Sequence, residues 1–260
     1  MRIYLINLDR RPDRLSAMTG QAARLGLELA RVAALDAATA EMGAVNRWFS
    51  TGGPLGEIPA GDKACLLSHR AGWEQFVASG APHAVFLEDD VRLSAAAGAL
   101  LGSDGWIGDG VEVVKLEHYG PSGQRVLLTG FKNVGEDFRL GRMLSRHTGA
   151  AAYILSRRAA ELLLNEQRFD LPVDHLLFNP NNSKLFARLK PFQLLPAIAR
   201  QEQFVGAVSD IETTRIDLRR FSLTYLRREL VRFAYDLKLV PRQLAALAGG
   251  AKFVAVKTAH

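Results

Sequence analysis

Apolar residues along most of the chain alternate between short continuous runs and stretches where they recur every three or four positions. The run Arg2 to Leu8 (RIYLINL) predicts a buried central strand. Pro12 suits the first position of a helix reaching about Leu25. Leu27 to Leu35 (LELARVAAL) predicts a second strand, and the aperiodic, Gly/Pro-rich stretch Ser50 to Gly61 predicts a loop. Cys65, His69, Trp73 and Phe76 are spaced by three and four, which predicts a helix from Asp62 to about Ala78 with one apolar stripe. His83–Glu88, Val111–Glu117 and Ala150–Ser156 predict further strands, the last leading into a helix from Ser156 to about Glu166. Strands alternating with helices predict an α/β fold, a mostly parallel sheet covered on both faces. There is no internal repeat and no low-complexity tract.

The net charge of +6 is unevenly placed. From Arg219 onward nine Lys/Arg face only Glu229 and Asp236, so this tail carries +7 and residues 1–218 carry −1. The division suggests a body (1–218) and a basic helical tail (219–260). A near-neutral body argues against nucleic acid as a partner. Within the tail, Leu223, Leu226, Leu230, Phe233 and Leu237 form one stripe with Arg228 and Arg232 opposite. Such a helix either docks on the body or lies on an anionic membrane surface. The single cysteine, Cys65, excludes an internal disulfide. The first apolar run is too short for a signal peptide, and no apolar stretch approaches the ~20 residues of a membrane span. A cytoplasmic protein is expected, with the tail as its one route to the inner face of the membrane.

In open α/β sheets ligands bind at the carboxyl ends of strands. The first strand ends in Asn7-Leu8-Asp9-Arg10-Arg11 and a later one in Glu88-Asp89-Asp90; the helix from Asp62 starts near the same edge. Three adjacent acids can hold a hard divalent cation, Mn²⁺ or Mg²⁺, that bridges nucleotide phosphates. Arg10, Arg11 and Arg14 oppose the helix dipole at about 0.3–1 kcal/mol each. They either pair with Asp9 or Asp13, or they meet a diphosphate. His69 lies on an apolar stripe, where a hydrogen-bonded core histidine competes with a site role, and Ser68 beside it reads as a helix-face hydroxyl. Gly-x-Ser-x-Gly, Gly-x-Gly-x-x-Gly after the first strand, a phosphate-binding Gly-Lys-Ser/Thr loop and His-x-x-x-His are all absent.

IYLINLDRRPDR, GDKACLLSHRAGWE, VFLEDDV, GAAAYILSRRAAELLL and LPVDHLLF, in this order, resemble glycosyltransferase family 25 over about Arg2 to Phe178. The resemblance implies a GT-A-type nucleotide-sugar fold, a UDP-sugar donor (usually UDP-galactose), inversion at the anomeric carbon and a saccharide acceptor, which can be lipid-linked. It implies Asp90 as the metal ligand, with Glu88 and Asp89 near the ribose or sugar. Asn7, Asp9, Arg10, Arg14, Ser68 and His69 complete the expected donor site. Asp174 matches the family's Pro-Val-Asp pattern as general base, with Asp62 the next candidate. His147 and His175 are further candidates for the metal shell. Lys63, Ala64 and Ala150 depart from the family pattern, which keeps open an inactive nucleotide-sugar-binding relative. An adaptor working through the tail is the other alternative.

Overall fold

The computed structural model describes residues 1–120, 123–201, 237 and 239–259. The chain begins with β1 (Arg2–Asn7), α1 (Pro12–Arg24), β2 (Ala30–Ala33), α2 (Met42–Asn46), α3 (Ala60–Ser79), β3 (His83–Glu88), β4 (Val91–Leu93) and α4 (Ala97–Gly102). It continues with β5 (Val113–Lys115), β6 (Glu117–His118), β7 (Arg125–Val134), β8 (Phe138–Met143), β9 (Ala152–Ser156) and α5 (Arg157–Leu164). α6 (Val173–Phe178), α7 (Phe186–Leu189), β10 (Phe192–Leu195), β11 (Ala199–Gln201) and β12 (Lys252–Ala255) follow. Among the described residues nine strands form one sheet in the order β12-β7-β8-β10-β5-β9-β3-β1-β2, and β4-β11-β6 form a second.

The expected α/β sheet flanked by helices is present, but its strand directions are mixed rather than mostly parallel. β1 runs parallel to β2 and β3, and β10 to β5. The other five pairings of the large sheet are antiparallel, including both neighbours of β9. A strand buried on both faces reads as a continuous apolar run whichever way it points, so direction left no mark in the pattern. The expected strand Val111–Glu117 divides, with Lys115 in the large sheet and Glu117 in the small one.

Alternation along the central strands supplies two cores. Tyr4, Ile6, Phe86, Tyr153 and Leu155 face Trp73 and Phe76 of α3 together with α5 and α6. Ile3, Leu5, Val85, Leu87, Ala152 and Ile154 face Met18 and Ala22 of α1 and Ala97 and Leu101 of α4. Tyr4, Phe86 and Tyr153 stack across three neighbouring strands at 5.5 and 5.3 Å. Burial on both faces fixes the register of these strands, because a one-residue slip would turn each large ring to the wrong helix layer.

Residues 202–236, with Leu223, Leu226, Leu230 and Phe233 of the expected apolar stripe, lie outside the described residues. Residues 239–248 are helical, but the segment after them is not. Gly249 and Gly250, the latter at φ +90°, end the helix, and Lys252–Ala255 joins the large sheet antiparallel to β7. The expected helical appendage thus finishes as a strand, because Phe253 and Val254 favour extended backbone and β7 offers an edge. Val256 is fully buried, and Ala197 bonds both Lys257 and Ala259 through its backbone. Among the described residues no helix is long and apolar enough to cross a membrane.

A chain ending at residue 250 should therefore melt at least ~4 °C lower, since burying Val256 alone contributes about 1.5–3 kcal/mol. An unchanged melting temperature in calorimetry would show β12 to be dispensable.

Candidate active site

β1, β3 and β5 run the same way and β9 runs against them, so Asn7, Glu88, Lys115 and the entry to β9 at Gly149–Ala151 share one edge. The turn through Gly80 (φ +75°) reverses the chain between α3 and β3, which puts the first turns of α3 at that edge too. α6 adds Asp174, whose Oδ1 accepts from the His175 backbone N–H at 2.8 Å and whose Oδ2 accepts from Gly149 N–H at 3.4 Å. Cys65 reports the result. Burial, then the fields of Glu88, Asp62, Asp174 and Asp90, push its thiol well above the usual range. Four carboxylates from three segments act on one sulfur.

The carboxylates are not equivalent. Burial raises Glu88 to about 7, with Asp89 and Asp174 adding to it and Cys65 and Lys115 opposing. Burial and then Glu88 raise Asp90 to about 7 against the pull of Arg14. Asp90 Oδ1 is buried without a hydrogen-bond partner. For Asp174 burial works upward, but His175, the two backbone N–H bonds and Lys115 outweigh it and hold the carboxyl below its usual value. Asp174 is thus ionised at neutral pH.

Most of the remaining expected residues have their polar atoms occupied within the protein. Asn7 donates to Asp89 Oδ2 at 2.7 Å and to the Arg11 carbonyl, and accepts from Arg31. Asp89 also accepts from Arg14 at 3.1 Å. Arg10 pairs with Asp36 at 2.6 Å, Arg11 with Asp13, and Asp9 with Arg31. Ser68, also expected at the donor, clips β2's exit to α3: its hydroxyl donates to the Ala64 carbonyl and accepts from Leu35 N–H. Lys63, one of the departures, reaches Asn46 on α2, away from the carboxylates.

His69, also expected at the donor, is fully buried, and burial drives its pKa down to about 3 against the pull of Glu117. Trp73 Nε1 donates to Tyr153 Oη at 2.9 Å, and Tyr153 Oη lies 2.8 Å from His69 Nδ1. Indole can only donate, so the phenol's own proton goes to Nδ1 and the imidazole proton sits on Nε2. Nε2 then donates to Glu88 Oε1 at 3.1 Å. Cys65, His69 and Glu88, whose ligand atoms lie within 4.8 Å of one another, are joined by hydrogen bonds to Glu88 Oε1.

The triplet suits a cation. Carboxylate oxygens are hard donors, and Asp90 Oδ1 is buried without a partner in the field of Glu88, which outweighs that of Arg14. His147 Nδ1 bonds Gln193 on β10 while its Nε2 is buried without a partner, and His175 bonds Asn179. Sequence reasoning missed Lys115 and Glu117. Both are fully buried and paired at 2.6 Å. The signal was there in Val-Lys-Leu-Glu, opposite charges two apart within an apolar run.

A sequence model described as Glycosyltransferase family 25 (LPS biosynthesis protein) matches residues 1–177. The chain is 35% identical to the lacto-N-neotetraose biosynthesis glycosyltransferase LgtB of Neisseria gonorrhoeae over 158 residues, 54% of this chain and 53% of that protein. It is 29% identical to LgtE of the same organism over 196 residues, 68% and 66% of the two chains. The lipooligosaccharide biosynthesis protein lic2B of Haemophilus influenzae is 25% identical over 171 residues, 56% of each. The chain spans about half the length of LgtB. A crystal structure of a glycosyltransferase involved in the glycosylation of the major capsid of PBCV-1 aligns at a TM-score of 0.36 and 10% identity, covering 83% of this chain and 100% of that one.

The raised carboxyls have a consequence for stability. Groups that hold protons to about pH 7 when folded, but release them near pH 4 when unfolded, stabilise fully below ~4 and lose that contribution as pH rises through 7. Asp90→Asn should therefore melt several degrees above the wild type at pH 8 in chelator, by about 2 kcal/mol, with the gap closing toward pH 5. Equal melting temperatures at both pH values would contradict this.

Proposed function

The chain belongs to glycosyltransferase family 25, and from that premise we propose that it transfers a hexose, galactose first, from a UDP-sugar to a saccharide of a bacterial surface glycan. One observation carries the reading. A strand-end carboxylate, Asp90, has a buried oxygen without a partner, and an ionised Asp174 acts with it on the Cys65 thiol, so groups proposed for the donor and for the acceptor lie at one edge. The relatives' names, lacto-N-neotetraose and lipooligosaccharide biosynthesis, support a glycan acceptor. The choice of galactose and of inversion rests on the family resemblance.

In an inverting transfer the acceptor hydroxyl attacks the anomeric carbon, its proton passes to a base and UDP leaves. Asp174 is the proposed base, because it is ionised and its backbone N–H bonds fix its orientation. Asp62 stands in the first turn of α3 on the same side as the alternative. Arg14 is the proposed phosphate contact. With Arg24 and Arg92 it lines an open groove that ends at Asp89, while Arg10 lies apart on Asp36. Asp90 with Glu88 would hold a divalent cation, whose chemistry when bound is to neutralise charge on the departing diphosphate.

The tail supplies a place for a lipid-linked acceptor. Leu237, Val240, Leu244 and Leu247 are exposed at spacings of three and four, and Phe253 is exposed on β12. Residues 237–260 include Lys238, Arg242, Lys252 and Lys257 but no acid. Leu239 turns inward, beside Phe186 and Lys190. An exposed apolar face in a segment whose charged side chains are all basic suits an anionic lipid surface.

Three measurements follow. Asp90→Asn should fold and lose ~100-fold or more in turnover, about 2.7 kcal/mol, measured as UDP release; chelation of the wild type should match it and Mn²⁺ should rescue only the wild type. Full turnover in chelator would remove the cation. Arg14→Ala should weaken UDP binding more than tenfold by calorimetry, and unchanged affinity would return Arg14 to a purely structural partner of Asp89. Leu244→Asp with Leu247→Asp should abolish sedimentation with anionic vesicles and keep turnover on a soluble acceptor; continued sedimentation would place the lipid contact elsewhere.

A further inference from the structure

Lys115 is fully buried, yet its ammonium meets three oxygens: Glu117 Oε1 at 2.6 Å, the Thr148 carbonyl at 3.0 Å and the Gly149 carbonyl. An ammonium has three protons to give, and a neutral amine only two. The acceptor count therefore matches the charged form, and the Phe178 ring 4.3 Å away adds a cation–π contact. Burial lowers the lysine and raises Glu117 to about 7, but the three-acceptor cage decides for the cation.

The cage reaches the site through one residue. Gly149 accepts from Lys115 with its carbonyl and donates to Asp174 Oδ2 with its N–H. Its φ of +86° is open to glycine, and a Cβ there would lie 2.7 Å from Glu117 Oε1 and 3.0 Å from Tyr119. The Gly149 N–H shares one rigid peptide plane with the Thr148 carbonyl, so its direction is set by the Lys115 grip on that carbonyl at 3.0 Å. We propose that Lys115 is a positioning residue for Asp174: its buried ammonium clamps the Thr148–Gly149 backbone so that Gly149 N–H meets the carboxylate, and its charge keeps that carboxylate ionised. The proposal rests on the reading of Asp174 as the base.

Removing Lys115 alone strands Glu117 in the core, so Lys115→Met is combined with Glu117→Gln, and Glu117→Gln is also made alone. The double variant should melt within a few degrees of the wild type. Its kcat at neutral pH should fall tenfold or more, the donor KM should stay within about twofold, and the acidic limb of its pH–rate profile should move upward by about one unit. Glu117→Gln alone frees the lysine charge from its counter-ion, so its limb should move the other way. Asp174→Asn is the control and should be inactive. A wild-type profile in a folded double variant, beside an inactive Asp174→Asn, overturns the proposal and leaves the base in place. An active Asp174→Asn overturns both.

Discussion

Like charges at one dry sheet edge are the constraint around which this structure is organised. Two carboxylates about 6 Å apart at an effective dielectric of about 20 repel by roughly 3 kcal/mol, and here Glu88, Asp90, Asp174 and Asp62 act on the same thiol. Among the described residues Lys115 is the lysine or arginine that is fully buried, and it stands beneath this group. The two-sided core is what allows the arrangement. Strands pinned from both faces by aromatic and aliphatic side chains keep their ends in place even where those ends repel.

The site divides into residues that have settled their polar obligations and residues that have not. Asn7, Ser68 and His69 are satisfied inside the protein, and each ties one element to the next. Trp73, Tyr153 and His69 pass a defined sequence of donors outward from the core until it ends on Glu88. Asp90 ends the series with an oxygen that nothing answers. Rigid satisfaction around an unsatisfied centre is the pattern expected where a ligand completes the structure.

Much of this was readable in the chain before any coordinates. β1, β3, β9, α1 and α3 announce themselves because each buries a long apolar run or stripe, and the acids at the end of β3 stand out against that background. The apolar spacing around His69 left a core histidine in competition with a donor role; the residue is buried, and its partner at Glu88, nineteen positions away, leaves no periodic trace. Strand direction, the division of β5 from β6, and the hairpin of β7 with β8 depend on contacts remote in sequence. The arginines illustrate the difficulty best. Arg10 and Arg14 look alike from their surroundings in the sequence, but Arg10 lies in the turn before α1 and meets Asp36, whereas Arg14 lies on α1 and meets Asp89.

The pairing of β12 with β7 has a further effect during synthesis. Lys252 meets Leu128, so a strand made early waits for a partner made much later, while the sheet around β1, β3 and β9 can already close. Throughout that interval β7 presents a long open edge of the kind that recruits strands from other chains. Slower translation through the segment between them would lengthen the exposure, and a holding chaperone on the nascent chain would shorten its consequences. The yield of folded protein in a cell is thus tied to the last strand of the sheet rather than to the strands that build the site.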